Sequence, residues 1–71
     1  MIRIFEKGEF WNEEKQSYVQ EQELKDCQFI TIIQDNSGRV GYIESSVYED
    51  FVNWIDEDCV KDMAKFRVER N

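Results

Sequence analysis

The stretch from Cys27 to Glu44, CQFITIIQDNSGRVGYIE, constrains the fold more than any other part of the chain. Residues 29–33 are rich in β-branched and aromatic side chains, which favour strands. The DNSG that follows supplies the residue types that tight turns need, and RVGYI then resumes the strand pattern. These features predict a β-hairpin over residues 28–44.

The first strand of this hairpin has apolar side chains on both alternation phases. Ile30 and Ile32 fall on one phase, and Phe29 and Ile33 fall on the other. This pattern favours a central strand, or one whose second face is also covered. Gly41 weakens the second strand and predicts a bulge there.

The segment after the hairpin, VYEDFVNWIDEDCVKD, has the pattern of an amphipathic helix. Ser46 stands three residues before Glu49, the spacing of a capping box at a helix start. When the chain is wound at about 3.6 residues per turn, one stripe of side chains is apolar. That stripe comprises Tyr48, Phe51, Val52, Ile55, Cys59, Met63 and Phe66. A C-terminal amphipathic helix over about residues 47–63 is therefore expected to pack on the sheet.

The end of this helix is not determined by the pattern. No glycine or proline stops it, so the helix either continues to about residue 65 or ends near Asp62. In the second case the KFRVE segment forms a short last strand.

The N-terminal third is the most ambiguous segment. MIRIFE predicts an N-terminal strand, whereas GEFWNEEKQSYVQEQELKD permits either a hairpin or a helix. Its apolar residues fit a helical stripe loosely, and Glu14 and Lys15 interrupt that stripe. The spacing slightly favours an extra helix within residues 10–25, which gives the order β-α-β-β-α. The alternative is an all-antiparallel sheet followed by one helix.

Length and composition indicate one small α+β domain spanning residues 1–71. A chain of 71 residues buries only about 60% of its unfolded surface, enough for one core. Apolar residues make up 41% of the chain and ten are aromatic, which excludes an intrinsically disordered tail. No proline, repeat or low-complexity run marks a linker.

The charge balance restricts the chemistry of a partner. Sixteen acids against nine bases give a net charge of −7, which repels phosphate backbones and anionic membranes and attracts basic proteins. No apolar run approaches the length of a membrane span, and the N-terminus lacks a signal-peptide pattern. We therefore expect a cytoplasmic protein, with Cys27 and Cys59 as reduced, buried core thiols.

Catalytic and cofactor chemistry have little support in the sequence. The chain has no histidine, so the familiar hydrolase arrangements cannot be assembled, and we do not expect an enzyme. Asp56, Asp58 and Asp62 lack the turn glycine and terminal glutamate of a calcium loop. Two cysteines do not complete a zinc site, and no glycine-rich phosphate loop occurs, so no metal or cofactor is predicted.

The acidic side of the predicted helix is the candidate binding site. On a helix, neighbours three or four apart lie about 5–6 Å from one another, so carboxylates at that spacing approximate a row of phosphates. The candidate partner-binding residues are Glu49, Asp50, Trp54, Asp56, Glu57 and Asp58. Trp54 lies off the apolar stripe among these acids, where it is either an interface anchor or a cover for the rim of the core. The acids are either a docking surface or a solvated face.

The hairpin FITIIQDNSGRVGYIESS followed by the acidic segment VYEDFVNWIDEDCVKDM resembles, in general build, small acidic phage-encoded inhibitors such as anti-CRISPR proteins and other DNA mimics. The resemblance covers about half of the chain. It implies an inhibitor, in the host cell cytoplasm, that presents carboxylates to a basic nucleic-acid-binding surface of a host defence or transcription protein. The alternatives are a non-mimic adaptor or antitoxin-like protein, and a structural small protein that self-associates, for example as a homodimer.

Overall fold

The computed structural model describes all residues from 1 to 71, and β-strands make up most of it. Six strands and one short helix follow each other along the chain. They are β1 (Ile2–Asn12), β2 (Ser17–Leu24), β3 (Ile30–Gln34), β4 (Val40–Ser45), β5 (Asp50–Ile55), α1 (Val60–Lys65) and β6 (Phe66–Arg70). The strands form two antiparallel sheets of three strands each: sheet 1 has the order β2-β1-β6, and sheet 2 has the order β3-β4-β5.

The predicted α+β fold, with a sheet packed by a C-terminal helix, is wrong. Two sheets pack on each other instead, and they share one hydrophobic core. Sheet 1 contributes Ile4, Leu24 and Phe66, and sheet 2 contributes Val40 and Ile55. Because each sheet directs an apolar face toward the other, the two faces bury each other away from water.

The predicted hairpin at residues 28–44 forms as β3 and β4. Its turn is stabilised by the Asp35 carboxylate, which accepts hydrogen bonds from the backbone N–H groups of Ser37 and Arg39 at 3.0 and 2.8 Å. Gly38 adopts a φ of 91°, a conformation that favours glycine. The strand β3 is an edge strand of sheet 2, not a central one.

Gly41 causes no register shift, contrary to the predicted bulge. It pairs with Ile33 on one side and with Trp54 on the other. A Cβ atom at this position would lie 2.6 Å from the carbonyl oxygen of Asn53. The glycine is therefore required by the close approach of β5.

The C-terminal helix predicted over residues 47–63 is replaced by a turn, a strand, a loop and the six-residue helix α1. Ser46 explains the error. Its Oγ accepts hydrogen bonds from the backbone N–H groups of Tyr48 and Glu49, and its own N–H donates to the Glu49 carbonyl at 3.0 Å. A capping box and this tight turn both use a serine hydroxyl to bind the N–H three residues later, so the spacing fits either structure.

The predicted apolar stripe is likewise not a core face. Only Ile55 and Phe66 of its seven residues are buried, and Tyr48 is 94% exposed. Side chains on a strand alternate between two faces, so Phe51 and Val52 point in opposite directions. Side chains spaced three or four residues apart therefore do not form one buried face in this segment.

The extra helix predicted within residues 10–25 is also wrong, since β1 and β2 form a long hairpin there. Its turn contains no glycine. The Asn12 side chain instead accepts a hydrogen bond from the Lys15 N–H at 2.9 Å, and Gln16 takes a φ of 51°. The strand alternative for KFRVE is correct, because β6 pairs with β1 in the register Ile4↔Val68.

The two cysteines are free thiols, and neither is a fully buried core residue. Cys27 is exposed in the segment before β3, and Cys59 is half-buried in front of α1. None of the helices in the structure has the length and apolar character needed to cross a membrane.

Candidate functional site

Five of the six candidate residues lie on β5 or in the loop that follows it, and Glu49 immediately precedes the strand. Because Ile55 points into the core, antiparallel pairing and alternation place Val52 and Trp54 on the opposite face of sheet 2. The same face carries Ile33 and Ile43 from the neighbouring strands. We call these four residues the sheet-2 outer face: Ile33, Ile43, Val52 and Trp54.

The sheet-2 outer face is apolar and partly open to solvent. Val52 is 51% exposed and Trp54 is 37% exposed, while Ile33 and Ile43 are half-buried. A group of neighbouring apolar side chains on an exposed sheet face is typical of an interaction surface.

Trp54 has a different electrostatic environment from the one expected on a helix. The guanidinium of Arg39 lies 4.0 Å from the centre of its ring, within the range of a cation–π interaction. Arg39 also forms an ion pair with Asp35 at 3.2 Å. The tryptophan is therefore next to a positive charge, and the predicted ring of acids around it is absent.

The candidate acids are divided between the two ends of β5. Glu49 and Asp50 lie at the turn end, and Asp56, Glu57 and Asp58 lie at the loop end. A strand rises about 3.3 Å per residue, so Asp50 and Asp56 are about 20 Å apart. The structure does not bring the six residues together into one row.

The loop-end acids are held by local hydrogen bonds and one ion pair. Asp56 accepts a hydrogen bond from the Asp58 N–H at 3.0 Å, which shapes the turn. Glu57 pairs with Arg70 at 2.6 Å, and this hydrogen bond raises the pKa of the Arg70 guanidinium. Arg70 also donates to the Gly38 carbonyl at 3.0 Å, which ties sheet 1 to the β3–β4 turn.

These contacts surround an open polar cleft of about 340 Å³. Its lining residues are Ser37, Gly38, Arg39, Ile55, Asp56, Glu57, Asp58 and Arg70. The two arginines offset part of the acidic charge, and Glu57 is already neutralised by Arg70. No three acidic or cysteine side chains come together in a way that could hold a metal ion.

Ion pairing across the molecule is selective. All four arginines pair with a carboxylate, whereas none of the five lysines does. Among the candidate acids only Glu57 is paired, so Glu49, Asp50, Asp56 and Asp58 carry uncompensated charge. Glu44 on β4, also unpaired, accepts a hydrogen bond from Asn53 at 3.4 Å and adds to the charge near the turn end.

The outer face of sheet 1 shows the opposite organisation. Phe5 lies between two guanidinium groups, with Arg3 at 4.9 Å and Arg67 at 4.1 Å from its ring centre. Arg3 pairs with Glu23 at 2.9 Å, and Arg67 pairs with Glu21 at 2.6 Å. The pKa of each glutamate is lowered chiefly by the hydrogen bond from its arginine.

One exposed aromatic pair was not predicted from the sequence. Trp11 on β1 and Tyr18 on β2 lie opposite each other, with ring centres 5.3 Å apart in an edge-to-face arrangement. The indole N–H of Trp11 donates to the Glu13 carboxylate at 3.0 Å. The hairpin alternative for this segment, with its alternating side chains, is the signal that pairs the two rings; the slightly favoured helix does not pair them.

The chain matches no protein-family model, no curated protein and no solved structure. Function is therefore inferred from the geometry and charge of the chain itself.

Proposed function

We propose that this chain is a small acidic binding protein that docks on a basic surface of a partner protein, and that this surface normally binds nucleic acid. The observation that supports this function is the placement of unpaired carboxylates at both ends of an exposed strand. Glu49 and Asp50 lie at one end, and Asp56 and Asp58 lie at the other. With a net charge of −7, the field of the chain attracts such a surface and repels nucleic acid itself.

The spacing of the two acidic ends is compatible with mimicry of a nucleic acid. Phosphates of one B-DNA strand follow each other every 3.4 Å or so along the helix axis, so a separation of about 20 Å corresponds to about six nucleotide steps. Carboxylates at this separation would occupy two phosphate-binding positions of a partner groove. The inhibitor role, of the anti-CRISPR or DNA-mimic type, is part of the proposal.

The apolar surface between the two acidic ends favours a second candidate, a non-mimic adaptor. Val52 and Trp54 present apolar area that no phosphate backbone presents. Apolar anchors surrounded by charges are common in interfaces between proteins. We place either protein in the cytoplasm, where free thiols such as those of Cys27 and Cys59 remain reduced. Neither candidate has a catalytic role or a cofactor.

The test reverses two unpaired candidate acids, one from each end. We expect Glu49→Lys with Asp58→Lys to abolish capture of a basic partner from a bacterial lysate at low salt, because both carboxylates are exposed and form no ion pair. The matched control is Glu9→Lys with Glu14→Lys on the β1–β2 hairpin, which changes the net charge by the same amount. In both double variants, each exposed substitution should change the free energy of unfolding by no more than about 0.5 kcal/mol.

The outcomes separate the candidates. A partner that is retained by the control, lost by the Glu49/Asp58 variant and displaced by competing DNA or RNA supports mimicry. Retention despite excess nucleic acid supports the adaptor. Equal capture by both double variants, or equal loss, would show that total charge and not this strand governs binding, and the proposed site would be abandoned.

A further inference from the structure

The strand β5 has an unpaired backbone edge. It is the last strand of sheet 2, and its pairing partner is β4. The N–H of Ser46 donates to the Glu49 carbonyl, so these two residues form a hydrogen-bonded pair. Because such pairs alternate along antiparallel strands, Phe51 and Asn53 also bond to β4, and the backbone groups of Asp50, Val52 and Trp54 point away from the sheet.

The three other sheet edges are protected. On β3, the Asp26 carboxylate accepts a hydrogen bond from the Ile32 N–H at 2.6 Å, and the Ile30 carbonyl accepts one from the Cys27 N–H at 2.8 Å. The edge strands of sheet 1 each carry two or more charged side chains, a common device against edge pairing. These charged residues are Glu21 and Glu23 on β2, and Arg67, Glu69 and Arg70 on β6.

The edge of β5 is less protected than the other three. Its one charged residue, Asp50, is at the start of the strand, and no side chain caps the outward backbone groups. Phe51 is 50% exposed on one face of the sheet, and Val52 and Trp54 are exposed on the other. An apolar, uncapped edge strand is a template for the addition of another strand.

We propose that β5 pairs with β5 of a second copy of this chain, antiparallel, with Val52 on the two-fold axis. In this register Val52 pairs with Val52 of the second copy, and Asp50 pairs with Trp54 of the second copy. It is the one register in which all three outward residues of both copies are hydrogen-bonded. The product is a continuous six-stranded sheet with two-fold symmetry.

The side chains of β5 are self-complementary in this arrangement. On the outer face, the two Val52 side chains meet at the axis. Each Asp50 carboxylate lies beside Trp54 of the second copy, and therefore near the Arg39 guanidinium that covers that ring at 4.0 Å. On the opposite face, Phe51 lies beside Asn53 of the second copy. Asp50 has no ion-pair partner in a single chain, and in the dimer it would share the Arg39 guanidinium with Asp35, which pairs with it at 3.2 Å.

The same register also brings like charges together. Residue 49 lies opposite residue 55 of the second copy, so Glu49 approaches Asp56 of that copy. Salt screens this repulsion, while apolar contacts and backbone hydrogen bonds are little affected, so the dimer should strengthen as salt increases. The inference goes beyond the proposed function and does not rest on it, although the two share the strand β5: Asp50, Val52 and Trp54 lie at the paired edge, whereas Glu49, Asp56 and Asp58 stay at the margins of the paired strands.

The first experiment measures the mass of the purified chain by sedimentation over a range of concentrations, at low and high salt. We expect a monomer–dimer equilibrium in the parent. Val52→Lys places two ammonium groups at the axis and should weaken the dimer about tenfold or more. The matched control is Val60→Lys on α1, where the parent valine is 85% exposed and away from the edge; it should dimerise like the parent.

The second experiment uses amide hydrogen exchange on the parent, so it does not depend on whether a variant folds. The Phe51 amide bonds to β4 and should be protected at every concentration. The Val52 and Trp54 amides should be protected only as the concentration rises and the dimer forms. A parent that is monomeric throughout, a dimer with unprotected Val52, equal dimerisation by Val52→Lys, or addition of another protein's strand to a monomer would each overturn the proposal.

Discussion

The two sheets have the same strand number and the same kind of pairing, yet their outer faces are built in different ways. On sheet 1, Arg3 and Arg67 cover Phe5 and pair with glutamates on β2. On sheet 2, Val52 remains half exposed, and Trp54 is covered by a single guanidinium. On the outer face of sheet 1, the arginines are ion-paired and the aromatic ring is covered. On the sheet-2 outer face, apolar side chains stay partly exposed and the candidate acids nearby are mostly unpaired.

This difference indicates which part of the molecule can bind a partner. A carboxylate already bonded to a guanidinium has little left to offer a partner, because its charge is compensated. Glu21, Glu23 and Glu69 of sheet 1 are in that state, whereas Glu49, Asp50 and Asp58 are not. In both sheets the core lies on the inner face, so the exposed apolar surfaces are the sheet-2 outer face with its edge and the Trp11–Tyr18 pair on sheet 1; only the former has unpaired candidate acids beside it.

Both sheets share one core and should therefore fold as one unit. Truncation of core side chains tests this, and it has the largest expected effect on stability. Ile4 and Ile55 lie on different sheets and are both almost fully buried in the same cluster. We expect Ile4→Ala and Ile55→Ala each to lower the free energy of unfolding by about 2–5 kcal/mol, a large share of the stability of a small domain. Urea denaturation followed by tryptophan fluorescence and circular dichroism measures it.

The control for both variants is Val60→Ala, which removes an exposed side chain and should change stability by less than about 0.5 kcal/mol. Both core variants should unfold in a single transition. Two separated transitions in either variant would mean that the sheets melt independently and must be discussed as separate units.

The sequence predicted the β3–β4 hairpin, left the β1–β2 segment open between a hairpin and a helix, and missed the β4–β5 hairpin, each for an identifiable reason. The β3–β4 turn has Asp35 and Gly38 at positions whose turn chemistry is well known. The β1–β2 turn uses Asn12 and a left-handed Gln16, which are weak sequence signals. At the β4–β5 turn the signal of Ser46 is real, but it fits two structures equally, and only the pairing of β5 with β4 decides between them.

Part of the environment of Trp54 could be predicted from the sequence. The sequence places the ring off the apolar stripe, and the ring is partly exposed, but it lies next to the Arg39 guanidinium and not within a ring of acids. That these residues bind a partner stays a prediction. The distances between the candidate acids could not be predicted, because the predicted distances depended on a helix that does not form. The pairing of Glu57 with Arg70 joins residues that are adjacent only after β6 has packed on β1, and no local pattern carries that information.

An intermediate effect is expected from the aromatic ring on each outer face. Phe5→Ala should cost about 2–3 kcal/mol, below the 3–5 of a core phenylalanine, since two arginines cover the ring in place of apolar groups. Trp54→Ala should cost about 1–2 kcal/mol, because one cation–π contact is worth about 0.5–1 and the ring is already partly exposed. Chemical denaturation of both variants measures the difference.

Conservative variants separate the contribution of the aromatic ring to stability from that of the side-chain volume. Phe5→Leu keeps apolar bulk but removes the ring under the two arginines, and Trp54→Phe keeps a ring under Arg39. We expect Phe5→Leu to lose part of the stability and Trp54→Phe to lose little. A larger cost at Trp54 than at Phe5 would reverse the contrast between the two faces.

The smallest expected effect is the pH dependence of stability that arises from the ion pairs on sheet 1. The pKa values of Glu21 and Glu23 are lowered from 4.5, first by hydrogen bonds from Arg67 and Arg3. Since the folded pKa lies below the unfolded one, the ion pairs contribute fully above 4.5, and the contribution is lost as the pH falls below it. Both carboxylates are near the solvent, so we expect a modest decrease in the melting temperature on acidification.

Glu21→Gln with Glu23→Gln keeps hydrogen-bond acceptors but removes the titration, so the melting temperature of this variant should start lower at neutral pH and fall less steeply below pH 4.5. A residual decrease is expected from Asp35, whose pKa is lowered from 3.8 mainly by the Ser37 hydroxyl. That decrease belongs to the β3–β4 turn and lies at lower pH. If the double variant instead follows the acid profile of the parent, the charges on sheet 1 contribute nothing measurable, and the two outer faces differ in appearance but not in energy.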